Sequence, residues 1–99
     1  MTSVTLLTLL GRPDCHLCHE MREVAERVLA RCGGSIVDRD IAEDPELEAR
    51  YRLSIPVLLL GPLELARGRV TDAELAARLR QAGVALRAPT PGDADAQRT

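Results

Sequence analysis

Aromatic side chains are all but missing from this chain, which has one tyrosine and neither phenylalanine nor tryptophan. A core built on stacked rings is excluded, and packing must come from Leu, Val, Ile and Ala. An excess of positive charge is also missing: 13 basic against 15 acidic residues leave a formal charge of -2. Nothing in that balance suits nucleic acid or an anionic membrane as a partner. No apolar run approaches the length of a bilayer span, and no amino-terminal segment has the build of a secretory leader. A cytoplasmic protein is expected. Cysteine is scarce too. Three cysteines cannot all pair within one chain, and two of them standing three positions apart do not staple a fold.

What remains is an ordinary globular balance, 45% apolar and 28% charged over 99 residues. That length holds one domain and no second core. Val4 to Leu10 is a nearly continuous run of strand formers and reads as an interior strand. Gly11 to Asp14 forms a loop. From His16 to Cys32 the apolar residues Leu17, Met21, Val24, Ala25, Val28, Leu29 and Cys32 recur at threes and fours, which is one buried stripe of an amphipathic helix ended by Gly33-Gly34.

Ser35 to Ile41 is a shorter strand interrupted by charge. Asp44-Pro45 starts a helix running to about Leu53, with Asp44 as cap and Pro45 at the first helical position. Val57 to Leu60 and Leu63 to Arg67 flank Gly61-Pro62 and predict an antiparallel hairpin. Thr71 with Glu74 is a capping box for a last helix that Gly83 can end. The order β-α-β-α-β-β-α implies an α/β domain over residues 1–84: a mixed four-stranded sheet with helices on both faces. Residues 85–99 have little to bury and are expected to form a flexible tail.

The chemistry lies in Cys15 and Cys18. Cys15 falls at a strand's carboxyl end, where the following helix begins. Unpaired N–H groups and the positive end of the helix dipole stabilise a thiolate there, while Cys18 lies one turn deeper and can close a disulfide. Helix-start placement lowers a thiol pKa from near 8.5 to roughly 4 to 7. His16 between them either tunes the thiolate when protonated or points to water. His19 reads as a surface residue and Cys32 as a small core hydrophobe. A zinc site on the cysteines and histidines lacks a second cysteine pair, so no metal is expected. Asp38, Asp40, Glu43 and Asp44 need only solvent or, for Asp44, its capping role.

Pro13-Asp14-Cys15-His16-Leu17-Cys18 after the first strand, Ile55-Pro56-Val57 before the third, and Gly68 with Thr71-Asp72 before the last helix together resemble the glutaredoxin-like proteins of the thioredoxin superfamily. The likeness runs over roughly residues 4 to 82. It implies a thioredoxin-like fold and a thiol-disulfide oxidoreductase in which Cys15 is the nucleophile and Cys18 the resolving thiol. It also implies a cis Ile55-Pro56 bond that offers the Ile55 backbone to substrate. Arg12, Gly68, Arg69, Thr71 and Asp72 are the candidates for binding glutathione as co-substrate. No bound cofactor is expected. The partners implied are a disulfide-bearing protein or glutathione, with a thioredoxin-type reductase as a possible electron source, and the protein is expected to be a monomer. His16-Leu17 replaces the usual Pro-Tyr between the cysteines, and Gly68-Arg69 replaces paired glycines. Both departures bear on glutathione. The rival readings are a non-catalytic interaction module on the same fold and a metal-binding cysteine pair.

Overall fold

Strand β1 (Leu6–Gly11) is an inner strand of a four-stranded sheet. The computed structural model describes residues 5–88. Helix α1 (His16–Leu29) carries the chain over to β2 (Ser35–Asp40), which pairs with β1 in parallel. A single 3-10 turn (Ile41–Glu43) and α2 (Pro45–Tyr51) lead to β3 (Val57–Leu60), which lies antiparallel to β1 on its other side. The turn at Gly61-Pro62 returns the chain as β4 (Leu63–Arg67), antiparallel to β3, and α3 (Asp72–Gln81) follows. The β-α-β-α-β-β-α order and the mixed sheet are those read from the sequence.

Alternation along β1 explains the layering. Leu7 and Leu9 join Met21, Ala25 and Val28 of α1 and Leu75 and Leu79 of α3 in the main core on one face. Leu10 points to the opposite face, where Val57 and Ile41 pack with Leu47 and Tyr51 of α2. Adjacent strand residues project to opposite sides, so a near-continuous leucine run feeds both layers. The lone tyrosine sits beside the smaller cluster. The main core is wholly aliphatic apart from Met21 and the half-buried Cys32, which packs against it as a small hydrophobe.

Several ends differ from expectation for local reasons. Gly11 belongs to β1, because it continues the parallel register opposite Asp40, while Val4 lies outside the described residues. Helix α1 stops at Leu29, and Arg31 and Cys32 donate to Val28 and Leu29 in tighter i to i-3 bonds. Helix α2 stops at Tyr51, whose carbonyl accepts from Ser54 and Ile55. Helix α3 ends as expected at Gly83, with φ +96°. Gly83 N–H donates to Arg80 O and Val84 N–H to Leu79 O, the paired bonds of a Schellman closure.

The expected tail begins at 85, but only its residues up to 88 are described. Leu86 packs against the core. Arg87 donates from its guanidinium to Ala30 O at 2.7 Å, while Arg31 Nε donates to Arg87 O at 2.7 Å. The carbonyls left over at the end of α1 are thus satisfied by this last segment. Positions 89–99 lie outside the described residues.

Candidate functional site

Pairing places four backbone positions in one row at the carboxyl end of β1. Asp40 is matched to Gly11. Extending the β1–β3 register by one position beyond Leu10 and Val57 sets Pro56 opposite Gly11, and Gly68 N–H donates to Pro56 O at 2.8 Å. The loop from Arg12 to Asp14 rises from this end of the sheet and delivers Cys15 to the start of α1.

Cys15 is the N-cap of α1, in extended conformation, and its Sγ accepts from the Cys18 N–H at 3.2 Å. The cap is unusual in using sulfur where an oxygen is preferred. It gives any negative charge on Cys15 a backbone donor and the positive helix end. Cys15 is half-buried, whereas Cys18 is 5% exposed, and the two are joined as a disulfide with Cα atoms 5.2 Å apart. The loop before them is braced by Cys15 N–H donating to Arg12 O and by His19 Nε2 donating to Pro13 O at 3.1 Å. Among the described residues no cluster of three or more His, Cys, Asp or Glu side chains could hold a metal ion. No described helix is long and apolar enough to cross a membrane.

The Ile55-Pro56 bond is cis and Pro56 is fully buried. His16 has a side chain 90% exposed, with Nε2 3.6 Å from Glu20 Oε2. Gly68, Arg69 and Thr71 come together in a cleft of about 240 Å³ against Leu17 and Glu20 of α1. Arg69 reaches Glu20 at 3.9 Å. Thr71 Oγ accepts from Glu74 N–H, and Thr71 N–H donates to Glu74 Oε1, completing the expected capping box. That Thr71 N–H holds the Glu74 carboxyl below the usual carboxylate range. The Asp72 carboxylate accepts twice from Arg27, at 2.9 and 3.0 Å, and these bonds raise the Arg27 pKa above its ordinary value. Arg12 lies apart from this group, 3.4 Å from Glu48 of α2.

Sequence reading missed Gly11. A Cβ built on it would stand 2.7 Å from Cys18 Sγ, so the strand passes directly under the buried sulfur. A glycine closing a strand just ahead of the cysteine pair was the only available signal.

A disulfide-joined cysteine pair at the start of α1, a cis proline across the sheet end and this strand order define a thioredoxin-fold protein with a redox-capable cysteine pair. Residues 6–80 match the glutaredoxin-like domain (DUF836), and the chain belongs to that family. It is similar to the X-ray structure of Northeast Structural Genomics target protein XcR50 from X. campestris, with TM-score 0.64 and 34% identity over 76% of this chain and 96% of that one. The solution structure of the same target gives TM-score 0.66 and 34% identity over 80% and 97%. Thioredoxin 1 from Thermosipho africanus TCF52B shares the fold, at TM-score 0.56 and 16% identity over 78% and 92%. A comparison with curated proteins finds no match.

Proposed function

We propose that this protein is a thiol-disulfide oxidoreductase that reduces protein disulfides or glutathione mixed disulfides. The carrying observation is the unequal pair: half-buried Cys15 capped by the Cys18 N–H, and Cys18 beneath it. Cys15 thiolate attacks a substrate disulfide, forming a mixed disulfide and releasing one substrate thiolate. Cys18 then attacks Cys15, releasing the second substrate thiol and closing Cys15-Cys18. The substrate gains two electrons and the protein loses them. A dithiol donor, a glutathione pool or a thioredoxin-type reductase then restores the protein, a cycle suited to the cytoplasm.

Pro56 and the Ile55 backbone offer an extended substrate a short edge. Protein disulfides are the favoured substrates, because Asp72 and Thr71 already spend their side chains on Arg27 and Glu74. Glutathione would be left with Arg69, Gly68 and main-chain groups of the same cleft.

Reduction of insulin disulfides, followed alongside a glutathione mixed disulfide, tests the reading. Cys15→Ser is expected to abolish turnover, and Cys18→Ser to accumulate a covalent Cys15–substrate adduct. Turnover without Cys15 would overturn the mechanism. Partner binding that both substitutions leave intact, with no exchange in the wild type, would establish the interaction module instead. Re-reduction by glutathione compared with an NADPH-coupled thioredoxin reductase identifies the electron source.

A further inference from the structure

The segment that offers the Ile55 backbone to substrate has little apolar anchorage ahead of it. Leu53, two positions earlier, is 91% exposed, so hydrogen bonds must hold the turn that leads into Ile55. From the α2 side, Tyr51 O accepts from Ser54 N–H at 2.7 Å and from Ile55 N–H at 3.1 Å. From the β4 side, Gly68 N–H donates to Pro56 O, and the Arg67 guanidinium donates to Ser54 Oγ at 2.9 Å. Ile55 thus lies between two ties to consecutive residues at the end of β4.

An irregularity in β4 aims the Arg67 side chain. Glu64 and Arg67 stand three positions apart, which in a regular strand would send their side chains to opposite faces. Here Leu65 is an extra residue, so that Glu64 lies opposite Leu59 and Arg67 opposite Val57. Leu59 and Val57 belong to the cluster on the α2 face, and both charged side chains therefore share that face. There the Glu64 carboxylate accepts twice from Arg67, at 2.6 and 3.2 Å. A guanidinium held by two such bonds has its remaining nitrogen fixed in direction, and that nitrogen is the one on Ser54. The Glu64–Arg67 pair is exposed and by itself contributes little to stability.

We propose that Arg67 is a positioning residue for polypeptide substrates: aimed by the bulge and fixed by Glu64, it holds Ser54 so that the Ile55 backbone stands ready to pair with an extended chain. The inference rests on the exchange reading above; within it, Arg67 serves the docking of a substrate backbone and leaves the sulfur chemistry to Cys15 and Cys18. Without the tie, the segment must be ordered each time a chain docks, and that cost raises the half-saturating substrate concentration. A small disulfide with no peptide backbone has nothing to pair with Ile55, and Arg67 does not affect its reaction.

The test sets two substrates of the reduced protein side by side in single turnovers, in a Cys32→Ala background that removes the third thiol. Insulin carries its disulfides in polypeptide, whereas 5,5′-dithiobis(2-nitrobenzoate) has no backbone. Acid quenching and thiol alkylation follow closure of Cys15-Cys18 against insulin concentration, and thionitrobenzoate release follows the small disulfide. Arg67→Met keeps the aliphatic stem, and Ser54→Ala removes the acceptor. Each is expected to raise the half-saturating insulin concentration roughly tenfold, with the limiting rate and the small-disulfide rate as in the parent protein. The double variant should be no worse than either single one, because the two side chains share one bond. Arg67→Lys, which lacks the fixed fork, is expected to recover only part of the loss. Unchanged half-saturation in both Arg67→Met and Ser54→Ala overturns this inference alone. So does an equal loss on both substrates, the mark of a general disturbance of the fold. Additive losses in the double variant also overturn it, since Arg67 would then act on substrate directly. Should Arg67→Met fail to fold, Ser54→Ala decides the comparison. A parent protein that reduces neither substrate overturns the exchange reading and this inference with it.

Discussion

Gly11 leaves no room above its Cα: a β-carbon there would stand 2.7 Å from Cys18 Sγ and 3.2 Å from Cys18 Cβ. Neither atom can retreat easily, because Cys18 is buried and held in the first turn of α1. Gly11→Ala is therefore expected to destabilise the fold by about 1–3 kcal/mol, the usual cost of overpacking. It should also displace Cys18 and slow closure of the disulfide while sparing alkylation of Cys15. Urea unfolding measures the first effect, and the rate of disulfide closure set against the rate of Cys15 alkylation measures the second. Wild-type stability with wild-type closure would contradict the close approach.

His16 is expected to matter little to the thiolate. Its ring is turned to Glu20 and bathed in solvent, where charge interactions are weak and screened. His16→Ala should leave the rate of Cys15 alkylation, followed against pH, within about twofold of wild type. A tenfold loss would restore His16 to the site.

The capping box of α3 makes stability depend on acid. Thr71→Ala is expected to cost about 1 kcal/mol, the typical value of an N-cap. The Glu74 carboxyl is held below its ordinary range by the Thr71 N–H. Its contribution is therefore present above the unfolded-state pKa and lost as pH falls through the lower folded value. Glu74→Gln should flatten the acid side of the stability curve by lowering stability at neutral pH while leaving it nearly unchanged at the acid end. Chemical denaturation of both proteins across the acidic carboxylate range checks the sign.

Arg78 secures an irregularity in β4. The pairing steps from Leu58–Ala66 to Leu59–Glu64, which leaves Leu65 as the extra residue of a bulge. Its carbonyl accepts from Arg78 of α3 at 2.7 Å. Arg78→Met retains the aliphatic stem but orphans that carbonyl. A loss of about 1–3 kcal/mol in thermal or urea unfolding is expected; no loss would show the bond to be idle.

Most of the element order was legible because it is written in local periodicity. The stripe from Leu17 to Leu29, the cap at Asp44 and the box at Thr71 and Glu74 each need only neighbours within a turn. Cys15 as helix start belonged to the same class of signal. The cis Pro56 did not: the residues alone allow an ordinary strand-start proline, and only likeness to a family pointed to the cis form. Gly11 under Cys18 and Arg87 on the end of α1 both join positions distant in the chain. They depend on strand register and helix docking, which no local pattern encodes. Asp72 shows the converse, for a candidate ligand group in the sequence proves to be tied to Arg27, 45 positions away.

The anchoring of Arg87 on Ala30 and Arg31 has a practical bearing. It brings the described carboxyl segment to the far pole of α1, about 20 Å from Cys15 along a helix of 14 residues. A biotin tag or sensor surface attached beyond that point would tether the molecule with its sulfurs facing the bulk solution, so captured protein should keep its full complement of reactive sites.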